Sequence, residues 1–424
     1  MKNIFGKAML LATALLFSIT GTSCSSDDSP VPEKEKTYDM SGFAKGADVS
    51  WLTEMEQDGV KFYNQNGKAE ECMWLLRDLG TNAIRLRVWV NPEGGWCGKD
   101  DVIAKASRAQ ALGYRLMIDF HYSDTWADPG NQKVPAAWQG YTFEQMKQAV
   151  ANHTKDVLSA LKERGVTNVE WVQVGNETRD GMLFSSDEAV TGKASKNAAN
   201  FAAYVNAGYD AVKAVYPQAK VIVHVDEGNN LGRYTWLFGE LKKKGGKWDV
   251  IGMSLYPEDN NWQELTTSCL NNIKTLSEMY NCNVIVSEIG MWWGSDQAAP
   301  MMEKMVDGCK AIPTCEGIFY WEPEVYNNWK PANYSTLGWG AYTKGAFDNS
   351  GKPTAVFDAY KRILNKRYDQ EKHYFHVSRP GVFYHVPGAE QKGYHFTIVG
   401  FLPRWQSVVS GSRASRLGYC GSFR

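Results

Sequence analysis

The chain has 424 residues, a formal net charge of -1 and 43% hydrophobic residues. This length suits one large domain of about 250 to 350 residues with additional ends, and it leaves little room for a second domain of that size. Because acidic and basic residues are nearly balanced and spread along the chain, the composition excludes the basic footprint of a nucleic-acid-binding protein, and no nucleic acid is expected as a partner.

The N-terminal segment from Met1 to Cys24 has the pattern of a secretory signal peptide. Its apolar run, Ala8 to Ile19, is too short to span a bilayer as a stable helix. The small residues that end at Cys24 resemble a bacterial lipoprotein cleavage box, although Gly21 stands where leucine is usual. We therefore expect an exported outer-membrane lipoprotein, anchored through a lipid on Cys24 and exposed at the cell surface.

Residues 25–39 are mostly Ser, Asp, Pro, Glu and Lys, with almost nothing to bury, which predicts a flexible tether. Its first residues, Ser25 to Asp28, are either a signal for export to the outer face of the outer membrane or an ordinary polar linker. The main folded domain is then expected over residues 40–367.

Eight short apolar or β-branched runs recur through this domain, and a stretch long enough for a helix separates each from the next. The runs are Lys45 to Val49, Ala83 to Val90, Arg115 to Phe120, Val169 to Val174, Val221 to Val225, Val250 to Leu255, Val284 to Val286 and Gly317 to Trp321. Helical spacing of apolar residues appears over Ala69 to Leu79, Glu144 to Arg164, Asn197 to Val215 and Ala298 to Ala311, and a closing helix is predicted over Ala355 to Lys366.

Eight alternating units predict an α/β fold with a single catalytic domain, a (β/α)8 TIM barrel. An open, doubly wound parallel sheet is the alternative. No GxGxxG turn follows the first predicted strand, which disfavours that alternative.

The eight cysteines show no zinc-ligand spacing, so we interpret them as structural apart from Cys24. Cys309 and Cys315 are close enough in sequence to form a disulfide in an oxidising compartment. The tail, residues 368–424, holds four of the seven histidines and few acids. It is either an appended β segment or sequence of anomalous origin, such as a shifted reading frame, and we favour the second.

Polar residues collect where seven of the eight predicted strands end. In a barrel of this kind the carboxyl ends of the strands form the active-site face, so these residues should line one pocket. They are Arg85 and Arg87 on the second strand, Asp119 to Tyr122 at the third, Asn176 and Glu177 at the fourth, His224, Asp226 and Glu227 at the fifth, Tyr256 at the sixth, Ser287 and Glu288 at the seventh, and Trp321 and Glu322 at the eighth.

Glu177 and Glu288 follow strands that face each other across an eight-stranded barrel. Retaining glycoside hydrolysis needs two carboxyl groups about 5 to 5.5 Å apart, one a protonated acid and the other an ionised nucleophile. We predict Glu177 as the acid/base and Glu288 as the nucleophile. Arg87 is expected to keep Glu288 ionised, and Tyr256 is expected to donate a hydrogen bond to it. A single glutamate after a strand more often stabilises a helix N-terminus, so the pair carries the prediction.

Two stretches, Trp171 to Glu177 and Val286 to Glu288, resemble the acid/base and nucleophile motifs of clan A glycoside hydrolases. Further stretches are similar to signatures of family 53, the endo-β-1,4-galactanases, and they are Lys45 to Ser50, Ile84 to Pro92, Asp119 to Pro129, Tyr256 to Pro257 and Gly317 to Pro323. The resemblance covers the predicted barrel, and the Asp119 to Pro129 stretch is its most telling part.

The resemblance implies retaining endo-hydrolysis of β-1,4-galactan in type I arabinogalactan and pectin, without a cofactor. It also implies a sugar subsite lined by Asp48, His121, Asn176 and Trp321, in which Asn176 reaches the 2-hydroxyl. Arg87 and Tyr256 belong to the same predicted substrate-binding set. We expect the enzyme to act as a monomer, with the polysaccharide as its partner.

The chain contains 16 tryptophans, whose flat faces suit either a tryptophan-rich core or the apolar faces of sugar rings. The candidates for stacking along the cleft are Trp89, Trp126, Trp292 and Trp293. Two departures from the family pattern lie nearby: Trp51 replaces a small residue, and Met291 to Trp293 replaces a Gly-Tyr-Pro type of stretch. The number of subsites is therefore left open.

Bacterial members of the family can hold a structural calcium ion in the long eighth loop, here residues 327–348. Asn327, Asn333 and Asp348 are the candidate ligands, although their spacing matches no EF-hand. Two other functions stay open at this point. One is another clan A endo-glycanase, such as a mannanase or a xylanase. The other is a noncatalytic surface glycan-binding lipoprotein, against which the two intact glutamates argue.

Overall fold

The computed structural model describes residues 36–361. The predicted signal peptide, the lipid-bearing Cys24, nearly all of the predicted tether and the predicted tail lie outside the described residues. The predictions made for those segments stay predictions.

Eight parallel strands close into a barrel. They are β1 (Ala44–Asp48), β2 (Ala83–Val88), β3 (Arg115–Phe120), β4 (Val169–Val174), β5 (Lys220–Val225), β6 (Val250–Leu255), β7 (Asn283–Ile289) and β8 (Cys315–Trp321). Each strand pairs in parallel with the next one along the chain, and β8 pairs with β1. The (β/α)8 prediction is confirmed, and the open doubly wound sheet is excluded.

Helices surround the barrel in alternation with the strands. Those of the described part are α1 (Leu52–Gln57), α2 (Cys72–Asp78), α3 (Lys99–Ala111), α4 (Phe143–Glu163), α5 (Ala194–Val215), α6 (Leu231–Lys243), α7 (Trp262–Tyr280), α8 (Ala298–Lys310), α9 (Ala332–Leu337) and α10 (Asp358–Lys361). The predicted closing helix begins instead as a 3-10 turn, Ala355–Phe357, before α10. Between residues 36 and 361, no helix combines the length and the apolar character needed to cross a membrane.

The start of α2 differs from the prediction. The pattern predicts a helix from Ala69, but Phe62–Tyr63 and Ala69–Glu70 pair as a small antiparallel ribbon. Glu71 sets the boundary because its carboxylate accepts a hydrogen bond from the backbone N–H of Trp74 at 2.7 Å. Such a capping carboxylate satisfies a backbone donor that the first helical turn leaves free.

One apolar side chain from each strand contributes to a layer in the barrel interior. The eight are Ala44, Ala83, Met117, Trp171, Ile222, Val250, Ile285 and Phe319. The Phe319 ring fits against β1 because Gly46 has no side chain, and a Cβ atom there would lie 2.1 Å from the ring. A larger apolar layer packs between the strands and the helices.

On four neighbouring strands, the residue two positions after the member of this apolar layer is polar. Alternate residues of a strand point to the same face, so Arg85, Asp119, Gln173 and His224 form the next layer towards the carboxyl ends of β2 to β5. All four are buried. This polar layer is the floor of the site described next.

Candidate active site

A cavity of about 290 Å³ lies above the polar layer. Its lining comes from the strand ends and the loops that follow them, and consists of His121, Trp126, Ala127, Asp128, Asn176, Glu177, Tyr256, Glu288, Trp321, Tyr334, Trp339, Tyr342 and Lys344. The two predicted carboxylates, from β4 and β7, therefore share one cavity. Their individual catalytic roles stay predictions.

Glu177 reaches the cavity through an unusual turn after β4. Its backbone is left-handed, with φ of 44°. A non-glycine residue in that region stores strain, which is typical of functional sites. Gly175 two residues earlier is also left-handed, and a Cβ atom on it would lie 2.6 Å from the Thr178 methyl group. The sequence Gly-Asn-Glu thus supplies the turn that presents this carboxyl group.

Burial and the negative charge of Glu288 raise the pKa of Glu177 well above its ordinary value. The hydroxyl of Ser254 donates a hydrogen bond to Glu177 Oε1 at 2.8 Å, which acts in the opposite direction. No ion pair joins Glu177 to a cation anywhere in residues 36–361. Glu177 is therefore the carboxyl group that holds its proton more tightly.

Glu288 has partners on both carboxylate oxygens. The Arg85 guanidinium lies 2.9 Å from Oε1, and the Tyr256 hydroxyl donates to Oε2 at 2.8 Å. Burial is the largest influence and raises the pKa of Glu288, whereas Arg85 and Tyr256 lower it. The environment thus favours ionisation of Glu288 over that of Glu177.

The prediction that Arg87 holds Glu288 ionised is wrong, because Arg85 makes that ion pair. Arg87 instead lies 2.8 Å from Glu322, and its guanidinium stacks 4.3 Å from the ring centroid of Trp126. Arg87 does not line the cavity. Both arginines point into the barrel because they stand two residues apart on β2, so spacing alone could not separate their roles.

Two further predicted substrate-binding residues, Asp48 and Trp89, are also absent from the cavity lining. Asp48 is fully buried and accepts a hydrogen bond from Arg85 at 2.5 Å. Trp89 is 3% exposed and donates its indole N–H to His121 Nδ1 at 3.2 Å. Asp48 and Trp89 therefore hold Arg85 and His121 through hydrogen bonds, and their predicted contact with the substrate stays a prediction.

Five of the predicted substrate-binding residues do line the cavity, namely His121, Trp126, Asn176, Tyr256 and Trp321. His121 Nδ1 accepts the backbone N–H of Ala127, so its proton is on Nε2, which donates to Asp119 at 3.0 Å. Burial lowers the pKa of His121, which keeps the ring neutral. Asn176 donates one Nδ2 hydrogen to the Ala127 carbonyl at 2.8 Å, and the other remains for a ligand.

Trp292 lies outside this cavity, in a second depression of about 490 Å³. It is 49% exposed. Lys344 lines both the depression and the catalytic cavity, so the two adjoin. Trp292 therefore lies next to the cavity and not within its lining. Trp293 donates its backbone N–H to the Thr343 carbonyl and lines neither space.

The sequence analysis missed several cavity residues that come from loops. They are Asp128 after β3, and Tyr334, Trp339, Tyr342 and Lys344 from the loop after β8. The unusual Trp51 is 1% exposed and packs edge to face against Trp126 and Trp321. The many aromatic residues of the loop after β8 could have indicated that this loop lines the cavity, but the loop was interpreted as a calcium site.

The three predicted calcium ligands, Asn327, Asn333 and Asp348, all lie in the loop after β8 or at its end. The Asp348 carboxylate accepts hydrogen bonds from the backbone of Ser350 and Lys352, and so closes its own turn. Asn333 has a buried side-chain oxygen without a partner, and Asn327 is left-handed. Over residues 36–361, no group of three or more His, Cys, Asp or Glu is placed to hold a metal ion. The predicted calcium ligands therefore stay a prediction.

The six described cysteines are free thiols. The sequence suggested a disulfide between Cys309 and Cys315, but the two are hydrogen-bonded thiols, which is a correction. Both are buried, Cys309 on α8 and Cys315 at the start of β8, and they lie close together although no covalent bond joins them. Neither cysteine is among the residues that line the cavity.

Comparison with known proteins identifies relatives of this barrel. Residues 44–360 match the model of glycosyl hydrolase family 53. The endo-β-1,4-galactanase of Bacillus subtilis (strain 168) is 31% identical, over 66% of this chain and 70% of that protein. The arabinogalactan endo-β-1,4-galactanase of Thermothelomyces thermophilus is 29% identical, over 75% of this chain and 99% of that protein. A solved structure from a study of two fungal β-1,4-galactanases aligns with a TM-score of 0.66 and 27% identity, over 76% of this chain and 100% of the other.

Proposed function

Because the chain belongs to glycosyl hydrolase family 53, we propose that it is an endo-β-1,4-galactanase that cleaves type I arabinogalactan and pectic galactan with retention. Family membership and the activities named for its relatives support the substrate. The observation that carries the chemistry is the pair Glu177 and Glu288 in one cavity, with a cation on Glu288 alone. The aromatic lining suits a neutral sugar.

In the first step Glu288 is the nucleophile. Its carboxylate attacks the anomeric carbon while Glu177 gives its proton to the leaving glycosidic oxygen. The bond to Glu288 forms as the glycosidic bond breaks, which yields an α-linked glycosyl-enzyme. Arg85 and Tyr256 hold the attacking carboxylate ionised and oriented through its two oxygens.

In the second step Glu177 is the base. It accepts a proton from water, whose oxygen attacks the anomeric carbon and releases Glu288, so the β configuration is restored. While Glu288 is esterified its negative charge is gone, and the pKa of Glu177 falls because that charge was one cause of the rise. The same residue is thus an acid before the intermediate and a base after it.

In this proposal, each contact with the sugar is made by a side chain in or next to the cavity. The free Nδ2 hydrogen of Asn176 donates to the 2-hydroxyl, a contact that strengthens in the transition state. Trp321 and Trp126 offer aromatic faces around the cleaved residue, and Trp292 offers one beyond it. All of these come from one chain, which supports a monomer as the active form.

We also infer that the protein is exported and held at the outer face of the outer membrane by a lipid on Cys24. The basic start, the short apolar run and the small-residue box support this. A tether over residues 25–39 would leave the barrel free to reach a polysaccharide too large to enter the cell.

Hydrolysis of linear galactan, mannan and xylan tests the substrate. Release of short oligosaccharides from galactan alone is the expected result. Equal or faster release from mannan or xylan would make the protein another clan A endo-glycanase. Binding to galactan without any release would make it a surface glycan-binding protein.

Azide rescue tests the role of Glu177. Glu177→Ala should fail on galactan yet form the glycosyl-enzyme from a dinitrophenyl galactobioside, because that leaving group needs no protonation. Azide should then restore turnover and give a β-glycosyl azide. An α-azide would imply direct single displacement, and no rescue would leave Glu177 as a binding residue.

A further inference from the structure

The carboxyl group of Glu177 rests on a hydrogen-bonded pair, Ser254 and His224. Ser254 Oγ lies 2.8 Å from Glu177 Oε1 and 2.7 Å from His224 Nε2. The backbone N–H of Glu177 donates to the other ring nitrogen, Nδ1, at 3.3 Å. Ser254 and His224 are buried, so water does not compete for these contacts.

These contacts set the direction of the hydrogen bonds. His224 Nδ1 faces two donors, the Glu177 N–H at 3.3 Å and the Gln173 amide at 3.0 Å, and one acceptor, Asn176 Oδ1 at 3.0 Å, which already accepts a hydrogen bond from Arg85. The two donors make Nδ1 an acceptor, so the ring proton of His224 is on Nε2 and donates to Ser254 Oγ. The Ser254 hydroxyl hydrogen is then left for Glu177 Oε1. Burial holds the pKa of His224 well below its ordinary value, so the ring is neutral. The Gln173 side chain, 3.0 Å from Nδ1, fixes the ring from β4.

We propose that Ser254 and His224 are positioning residues that orient the Glu177 carboxyl group and reserve its Oε2 atom for proton transfer. Because Oε1 is occupied by the Ser254 hydroxyl, the acid proton resides on Oε2, which has no hydrogen-bond partner within the described part of the chain. Oε2 gives the proton to the leaving oxygen and later accepts one from water. The inference rests on the proposed hydrolase function and adds two residues to it.

Strand register brings Ser254 to this place. The pairing of β6 with β7 shifts between Met253 and Ser254, and the shift sets Ser254 opposite Glu288. Irregularities of this kind redirect side chains next to active sites. Two residues further, Tyr256 bonds Glu288. Alternate residues at the end of β6 therefore hold the two carboxyl groups separately, Ser254 the acid and Tyr256 the nucleophile.

Glu177 is surrounded by several titratable groups in addition to its hydrogen-bond partner Ser254. They are Glu288 and Tyr256 on the β6 and β7 side, Asp226 and Tyr234 from β5 and α6, and Asp128 after β3. The negative charges of these carboxylates raise the pKa of Glu177. Arg179, a cation that interacts with Glu177 through its charge, is paired with Asp226. The Ser254 hydrogen bond opposes that rise, so its removal should raise the pKa of Glu177 further.

The test compares Ser254→Ala with the wild type on phenyl and dinitrophenyl β-galactobiosides. The value of kcat/KM should fall about 10-fold on the phenyl glycoside, which needs a proton, and less than about 2-fold on the dinitrophenyl glycoside, which does not. The alkaline limb of the phenyl profile should move up by about 0.5 to 1 pH unit. A fraction of misfolded protein lowers kcat/KM equally on the two glycosides, so the ratio of the two kcat/KM values does not depend on the fraction of folded protein.

Two variants serve as controls. Ser254→Thr keeps the hydroxyl group and should keep the wild-type ratio and alkaline limb. Ser277→Ala removes a buried serine hydroxyl on α7 that contacts Thr314 outside the cavity, and it should change neither. Equal losses on both glycosides with an unmoved limb would overturn the proposal. If the wild type cleaves neither galactobioside, the proposed substrate is wrong, and the same ratio on the matching mannobiosides or xylobiosides decides the role of Ser254.

Discussion

Replacing Tyr256 by phenylalanine should move the acid limb of the pH profile to higher pH. The Tyr256 hydroxyl donates to Glu288 Oε2 at 2.8 Å, and this bond lowers the pKa of the nucleophile. Phenylalanine keeps the ring that packs edge to face on Trp321, with centroids 6.3 Å apart. The substitution therefore removes one hydrogen bond and little packing.

The expected size follows from that bond. A hydrogen bond to a charged group contributes about 1.5 to 3 kcal/mol, and one pKa unit corresponds to about 1.4 kcal/mol. Water entering the cavity would restore part of the loss, so we expect a rise of about one unit. Glu288 attacks only when ionised, and activity is lost as the pH falls through its pKa. A higher pKa therefore moves that loss to higher pH.

The assay measures kcat/KM for the dinitrophenyl galactobioside as a function of pH. Because this leaving group needs no proton from Glu177, the acid limb of the profile reports the ionisation of Glu288 alone. Tyr114→Phe is the matched control, because it removes a buried tyrosine hydroxyl that donates to the Met73 carbonyl away from the cavity. An acid limb that stays in place in Tyr256→Phe, or that moves equally in Tyr114→Phe, would refute the reasoning.

Three other predictions concern the nucleophile, the anchor and the tail. Glu288→Gln should reduce hydrolysis more than about 10⁴-fold while calorimetry still detects galactan binding, since only the charge is lost, and near-wild-type turnover would reject the assignment. Cys24→Ala should move the protein from the membrane to the soluble fraction with unchanged specific activity, and unchanged partitioning would mean no lipid anchor. Truncation after Arg367 should leave the Tm and the activity unchanged because all eight strands precede it, and a truncated chain that fails to fold would place the tail in the core.

The order and type of the barrel elements could be predicted from the sequence. The predicted bounds of β3, β4 and β6 agree with the structure to the residue. Buried parallel strands read as short apolar runs, and the intervening helices show their own spacing. The prediction was wrong at α2, where a capping glutamate, and not hydrophobic spacing, decides the start.

The sequence also placed Glu177 and Glu288 in one pocket, because a closed parallel barrel brings the carboxyl ends of all strands to one face. It could not say which arginine would pair with Glu288. Arg85 and Arg87 share a strand face, and only the depth of each side chain in the barrel assigns one to Glu288 and the other to Glu322.

The sequence by itself determined the barrel, the family and the meeting of Glu177 and Glu288 at one face, since each depends on local pattern plus a closed topology. Only the tertiary structure decided that Ser254 and His224 contact Glu177, and that loop residues such as Trp339 line the cavity. Those contacts depend on register between strands and on the path of a long loop. A shift of one residue in that register would turn Ser254 away from Glu177, and no spacing within a single strand encodes such a shift.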